Sequence, residues 1–139
     1  MESTNAILRA VASSPAVVAT ASSLPTAAER SVLGGAIGSL GAAVVAALHR
    51  THGDRVFVVV AESPRDAVSV ETDLETLLDG AEESHMYPQK EALPYEESET
   101  HVEISGLRVE AVEALFAGRT KVIVTTPRAL QERAPIPAR

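Results

Sequence analysis

The sequence predicts an α/β fold, in which helices cover a small parallel sheet. Two short runs consist almost entirely of Val, Ile and Phe, at residues 55–60 and 121–125, as in strands buried on both faces of a parallel sheet. Amphipathic helical patterns alternate with these runs, and such alternation implies right-handed crossovers between parallel strands. The pattern supplies three or four strands, which is only part of a complete sheet of this kind.

The first half of the chain is predicted to be mainly helical. Residues 6–19 form a short amphipathic helix that breaks near Pro15, and small residues continue as a linker through Pro25. Thr26 and Glu29 have the spacing of a helix capping box. A short apolar run then enters a glycine turn at residues 34–38 as the end of a buried strand, and a helix follows over 39–50.

The second half alternates between strands and helices. The predicted elements are a strand at 55–60, a helix at 65–78 that starts from Ser63-Pro64, a short strand at 85–87, an irregular connection at 93–96, a helix at 104–117, a strand at 121–125 and a last helical turn after Pro127. The helix at 104–117 is expected to bury one apolar face, formed by Ile104, Leu107, Val109, Val112, Leu115 and Phe116.

Composition and charge limit the possible functions. The chain has 139 residues, a net charge of −7 and only four aromatic residues, so a core rich in Ala and Val leaves a domain of this size marginal. Residues 62–113 contain 15 acidic and three basic side chains, and this stretch would repel phosphates. Autonomous nucleic-acid binding is therefore not expected. The absence of Cys excludes disulfides and thiolate metal sites, and the acid at Glu2 argues against an export signal, so we expect a cytoplasmic protein.

The glycine turn is the strongest candidate for a binding site. Gly35, Gly38, Ser39, Gly41 and Ala42 occupy positions of a phosphate-binding loop, where backbone N–H groups and a helix dipole meet an anion. Such a loop ends in Gly, Lys and Ser or Thr, but this chain has Leu, Gly and Ala there. The prediction is a degenerate phosphate loop, without the lysine for the phosphates or the hydroxyl for magnesium.

Other candidate groups are weaker, and we predict neither a catalytic residue nor a metal site. Glu62 follows an apolar strand, as the Walker B acid of a phosphate-loop nucleoside triphosphatase does, although the Ser-Pro after it favours a helix start. His49 and His52 are three residues apart, a spacing that lets two side chains on one helix face share a metal ion. Exposed histidines at the end of a helix are common, however, and need no metal to explain them. Three acids at 96, 97 and 99 lie near His101, and a solvated loop is the simpler interpretation. Residues 31–48 lack charge, yet more than half of them are Gly, Ala or Ser, which insert poorly into membranes.

The order of these pieces resembles one family, the bacterial transcription-repair coupling factors, over residues 24–137. The resemblance rests on Gly-Ala-Ile-Gly-Ser at 35–39, Ser-Pro-Arg-Asp-Ala at 63–67, Tyr-Pro-x-x-Glu-Ala-Leu-Pro-Tyr-Glu at 87–96, Ile-Ser-x-x-Arg at 104–108 and Val-Ile-Val-Thr-Thr-Pro-x-Ala-Leu at 122–130. The family's amino-terminal region is similar to the excinuclease B subunit, which has a RecA-like fold. That subunit keeps its phosphate-loop lysine and a long Tyr-rich hairpin, whereas Gly41 and a short acidic link stand at those places here.

The resemblance implies a fold, a domain division and a role. Residues 1–24 would be a helix and linker, 25–134 a degenerate RecA-like segment, and 135–139 the start of a linker to a following domain. The whole family protein is a DNA translocase that releases stalled RNA polymerase and recruits the excinuclease A subunit. Its ATP and magnesium belong to a motor domain elsewhere, so this segment would be a non-catalytic scaffold that contacts neighbouring domains. The alternatives are a fragment of an excinuclease-B-like or other phosphate-loop nucleotide-binding protein, or a membrane-associated small protein through residues 31–48.

Overall fold

The computed structural model describes residues 2–79, 83–90 and 100–134. They form six helices and three strands: α1 (Glu2–Ala12), α2 (Pro15–Ser22), α3 (Leu40–Thr51), β1 (Phe57–Val60), α4 (Pro64–Leu77), β2 (Ser84–Tyr87), α5 (Thr100–Phe116), β3 (Val122–Thr125) and α6 (Pro127–Gln131). The three strands make one sheet in the order β1-β3-β2, and both pairings are parallel. The predicted α/β class with a parallel sheet and flanking helices is confirmed.

The central strand and the helix after β1 follow the sequence pattern closely. All four residues of β3 are buried, as the run at 121–125 predicts. Helix α4 begins at Pro64 because the Ser63 hydroxyl accepts a hydrogen bond from the Asp66 N–H at 3.2 Å. It buries Ala67, Leu74 and its last turn against the sheet.

One face of the sheet has a continuous core. Helices α1, α3 and α4 pack together there, and α1 contributes the buried Leu8. Helix α3 contacts the other helices through small residues such as Ala43 and Ala46. The core that results is built largely from Ala, Val and Leu, as the composition predicts.

The second face is only partly covered: the strand predicted at 55–60 is present as β1, but the expectation that it is buried on both faces is wrong. Val58 and Val60 point away from the core cluster and are 53% and 49% exposed. The reason is that α5 and α6 cover Tyr87 and Ile123 on β2 and β3, while β1 lies at the edge of the sheet beyond them. A β-branched run of this kind predicts a strand correctly, but does not show which of its faces a helix reaches.

Two further expectations are corrected. No strand precedes the glycine turn among the described residues: 23–38 form irregular structure, and Val32 is 80% exposed. The apolar run before the turn consists of only Val32 and Leu33, which is too short for a strand. Helix α5 also turns a different face inward, because Arg108, Ala111 and Ala114 are its buried residues, and this small-residue stripe lets it approach the sheet closely. Four members of the expected face, Leu107, Val109, Val112 and Leu115, are half-buried or exposed, and Phe116 is exposed.

Candidate functional site

The glycine turn lies on the surface and leads directly into α3. Gly35 and Gly38 have left-handed φ angles of +79° and +58°, which residues with a side chain rarely adopt. A Cβ at either position would meet no atom within 4 Å. Ser39 occupies the N-cap position of α3, but its side chain accepts no capping hydrogen bond. The turn therefore has an open backbone shape, with space in front of it.

The side chains around this turn do not fit a magnesium–triphosphate group. Gly41 replaces the lysine of a phosphate loop, and Ala42, at the magnesium-ligand position, is 2% exposed and packs in the core. On its other side the turn forms an apolar hollow with α1 and α2, lined by Val11, Val17 and Leu33 among others. The turn thus keeps the backbone shape of an anion-binding loop but lacks the side chains that a triphosphate site uses.

A different group of residues forms the most tightly bonded polar centre among the described residues. The Arg108 side chain is 1% exposed and lies between the ends of β2 and α6. Its Nη1 donates to the Pro88 carbonyl at 2.6 Å and to Glu132 Oε2 at 3.0 Å. Its Nη2 donates to the Tyr87 hydroxyl at 2.6 Å and to the Arg133 carbonyl at 3.3 Å. We call these five residues the Arg108 cluster.

Each partner in the Arg108 cluster is itself held in place. The guanidinium carbon lies 4.1 Å from the centre of the Tyr87 ring, which adds a cation–π contact. The Glu132 carboxylate also accepts the Lys90 N–H at 3.0 Å and lies 3.7 Å from Arg128 Nε. The Thr125 hydroxyl donates to the Tyr87 carbonyl at 2.8 Å. The cluster joins the carboxyl ends of β2 and β3 to α5 and to the chain that follows α6.

The chemistry of the Arg108 cluster is that of a structural interaction, which holds separate parts of the fold together. A buried ion pair contributes to stability only where hydrogen bonds satisfy its remaining donors and acceptors. Four of the hydrogen bonds of Arg108 go to protein oxygens, and Nε alone has no hydrogen-bond partner among the described residues. A guanidinium enclosed in this way is not available to a substrate.

The sequence marks Tyr87, Pro88 and Arg108 as parts of the resemblance, but it does not predict that they touch. The signal that could have shown it is the position of Arg108 three residues before Ala111 and six before Ala114. An arginine on the small-residue stripe of a helix must bury its charge or change the helix packing, so a partner across the fold is required. A Tyr-Pro pair at the end of a strand can supply such a partner.

The two histidines that could have shared a metal point to different partners. His49 Nε2 lies 3.5 Å from Glu83 Oε2, and the His49 ring meets Phe57 edge-on. His52 Nε2 lies 2.8 Å from the Ala21 carbonyl. His49 is buried, not exposed as expected for a helix end. Across residues 2–79, 83–90 and 100–134, no group of three or more His, Asp or Glu side chains could hold a metal ion.

The remaining sequence candidates are divided between exposed and undescribed positions. Glu62 is exposed next to the Ser63 cap of α4. The acids at 96, 97 and 99 and the side chain of His101 lie outside the described residues, as does the linker at 135–139. None of the helices in the described ranges has the length and apolar character that crossing a membrane requires.

Fold and site together define a small α/β domain with a three-stranded parallel sheet and a buried arginine tie. No family model, curated protein or solved structure matches this chain.

Proposed function

We propose that this chain is the amino-terminal, non-catalytic module of a transcription-repair coupling factor, with a degenerate RecA-like sheet that acts as a scaffold. The observation that carries the proposal is the Arg108 cluster. Three residues from two separate stretches of the resemblance, Tyr87, Pro88 and Arg108, contact one another in it. Stretches that match a family for a physical reason are expected to meet in the fold, and these do.

Two other observations agree with a scaffold. The glycine turn has Gly41 and Ala42 where a triphosphate site has its lysine and its magnesium-binding hydroxyl, so ATP and magnesium would bind in the motor domain of the whole protein. The exposed valines of β1 leave one edge and part of one face of the sheet uncovered. In the proposed protein, a neighbouring domain covers that surface, while RNA polymerase, the excinuclease A subunit and double-stranded DNA bind to other domains.

Strand-specific repair in living cells tests this function. Cells whose gene for this chain is deleted are irradiated with ultraviolet light, and lesion removal is followed separately on the two strands of an expressed gene. We expect the transcribed strand to lose its faster repair, and a plasmid copy of the intact gene to restore it. If the transcribed strand keeps its advantage in the deleted cells, the proposal is wrong.

A matched pair of variants connects the function to the Arg108 cluster. Plasmid copies carrying Arg108→Met or Arg55→Met are introduced into the deleted cells, and protein levels are measured alongside repair. We expect Arg108→Met to lower the amount of protein and its repair together, while Arg55→Met restores both. Full repair by Arg108→Met at a normal protein level would contradict a scaffold that depends on this cluster.

A further inference from the structure

The outer edge of β2 borders a groove that shares only Pro88 with the Arg108 cluster. It lies between α4 and α5, has a volume of about 500 Å³, and its walls include Val68, Glu71, Glu75, Met86, Leu107 and Glu110. We call it the β2-edge groove. Strand β2 pairs with β3 on one side only, so its other side is the free edge of the sheet within the described residues.

The charge in the groove has one sign. Glu71 and Glu75 come from α4 and Glu110 comes from α5, and no Lys or Arg of the described residues lines the groove. Burial raises the pKa of Glu71, the neighbouring charge of Glu75 adds to the rise, and the nearby Met86 N–H offsets part of it. A cation in the groove would relieve both unfavourable effects.

A buried polar group without a partner also lies beside this space. Ser84 lines the groove and is 1% exposed, and its hydroxyl has no hydrogen-bond partner among the described residues. A buried hydroxyl without a partner destabilises the folded state. The cost is removed if a ligand in the groove supplies a donor or an acceptor.

From these observations we propose that the β2-edge groove is a docking site for an extended segment of a partner protein that carries a Lys or Arg side chain. The segment lies along the free edge of β2, as in strand addition. Its cation pairs with the carboxylates of Glu71, Glu75 and Glu110, and its backbone or a polar side chain reaches Ser84. The apolar walls at Val68 and Leu107 contact the rest of the segment.

The charge complementarity favours a separate partner over the chain itself. Residues 91–99, which connect β2 to α5 in the sequence, contain four Glu and neither Lys nor Arg. A segment of that composition carries the same charge as the groove. A second copy of this acidic chain is disfavoured for the same reason, since its net charge is −7.

Selection from a random peptide library tests the proposal without knowledge of the natural partner. Peptides displayed on phage are selected on the immobilised 139-residue chain. The best ones are synthesised and titrated into the ¹⁵N-labelled chain by NMR. We expect selected peptides to be enriched in Lys or Arg, and to shift the amide signals of Ser84, His85 and Met86.

Two triple variants with the same change in charge provide the decisive comparison. Glu71→Gln/Glu75→Gln/Glu110→Gln should weaken binding of a selected peptide at least about tenfold, which is about 1.4 kcal/mol. Asp54→Asn/Glu62→Gln/Glu113→Gln changes acids that do not line the groove, and it should leave affinity within about twofold. Circular dichroism and urea unfolding of both variants show whether each is folded.

Several outcomes would overturn the proposal. They are selected peptides without basic enrichment, equal weakening by the two triple variants, or amide shifts confined to other parts of the chain. Competition by a peptide of residues 91–99 would identify that segment as the occupant instead. Self-association in sedimentation experiments that the Glu→Gln triple variant abolishes would identify a second copy.

Discussion

The glycine turn and the stretches that supply Tyr87, Pro88 and Arg108 all belong to the family resemblance, but the turn and the Arg108 cluster are built in opposite ways. The turn is exposed, and a Cβ at Gly35 or Gly38 would have open space around it. The Arg108 cluster encloses a charge whose hydrogen bonds join β2, α5 and the chain after α6. The glycine turn resembles a phosphate-binding loop but lacks the lysine and the magnesium-binding hydroxyl of such a loop. The stretch without a recognisable chemical pattern holds part of the fold together.

Removing the charge of Arg108 should have the largest effect on stability. Arg108→Met leaves the carboxylate of Glu132 and the hydroxyl of Tyr87 without their main partner, and breaking a buried pair costs about 3–5 kcal/mol. Urea unfolding followed by circular dichroism should show this loss, or a chain that no longer folds. Arg55 is exposed and has no ion pair among the described residues. We expect Arg55→Met to change stability by less than about 0.5 kcal/mol. Equal effects of the two variants would remove the distinction between the regions.

A milder change in the same cluster should have an intermediate effect. Tyr87→Phe keeps the ring under the guanidinium but removes the hydroxyl that accepts from Arg108 Nη2. We expect a loss of about 1–2 kcal/mol, because a buried charged donor loses one partner and keeps three. Urea unfolding checks this: the midpoint should fall while the slope of the unfolding free energy against urea concentration stays constant. No loss would mean that the hydroxyl contributes nothing to the tie.

In the glycine turn, we expect backbone conformation to matter more than contacts. Gly38→Ala should cost about 1–2 kcal/mol, since its φ of +58° strains any residue with a Cβ although there is room for one. Gly41→Ala is the matched control: Gly41 lies inside α3, and a Cβ there also meets nothing. It should stabilise the chain by about 0.5 kcal/mol through helix propensity. Thermal unfolding distinguishes the two, and stabilisation by both would show that the left-handed turn is not required.

The smallest expected effects depend on pH and have opposite signs at two glutamates. Burial raises the pKa of Glu71, so its protonated form favours the folded state, and this stability is lost as the pH rises through that raised pKa. Glu71→Gln should therefore gain stability relative to the unsubstituted chain as pH goes from acidic to neutral, by less than about 1 kcal/mol.

Glu29 provides the opposite control. Hydrogen bonds from the Thr26 N–H and hydroxyl, both 2.8 Å long, lower the pKa of Glu29. The stability that Glu29 contributes to the fold is present above the pKa that Glu29 has in the unfolded chain. It is lost as the pH falls through the lowered pKa of Glu29 in the folded chain. Glu29→Gln should therefore lose stability relative to the unsubstituted chain at neutral pH, and match it in acid. The same pH trend for both variants in urea unfolding would contradict these assignments.

The sequence predicted those parts of the fold that local patterns determine. Helix α4 follows from Ser63-Pro64 and its apolar spacing, and β3 from an uninterrupted β-branched run. The exposure of Val58 was not predictable, because it depends on how far α5 and α6 extend across the sheet. The contacts of Arg108 join residues 20 or more positions apart, such as Pro88 and Glu132. Spacing along the chain does not show such pairings.

We propose that the glycine turn binds no nucleotide and that the Arg108 cluster acts only to stabilise the fold. Titration of the ¹⁵N-labelled 139-residue chain with ATP·Mg²⁺ up to millimolar concentration tests both regions in one sample. We expect no saturable shift of the amide signals of Gly35, Gly38 or Gly41, and no change in the side-chain N–H signals of Arg108. Saturable shifts at those glycines, or at the Arg108 guanidinium, would contradict the account.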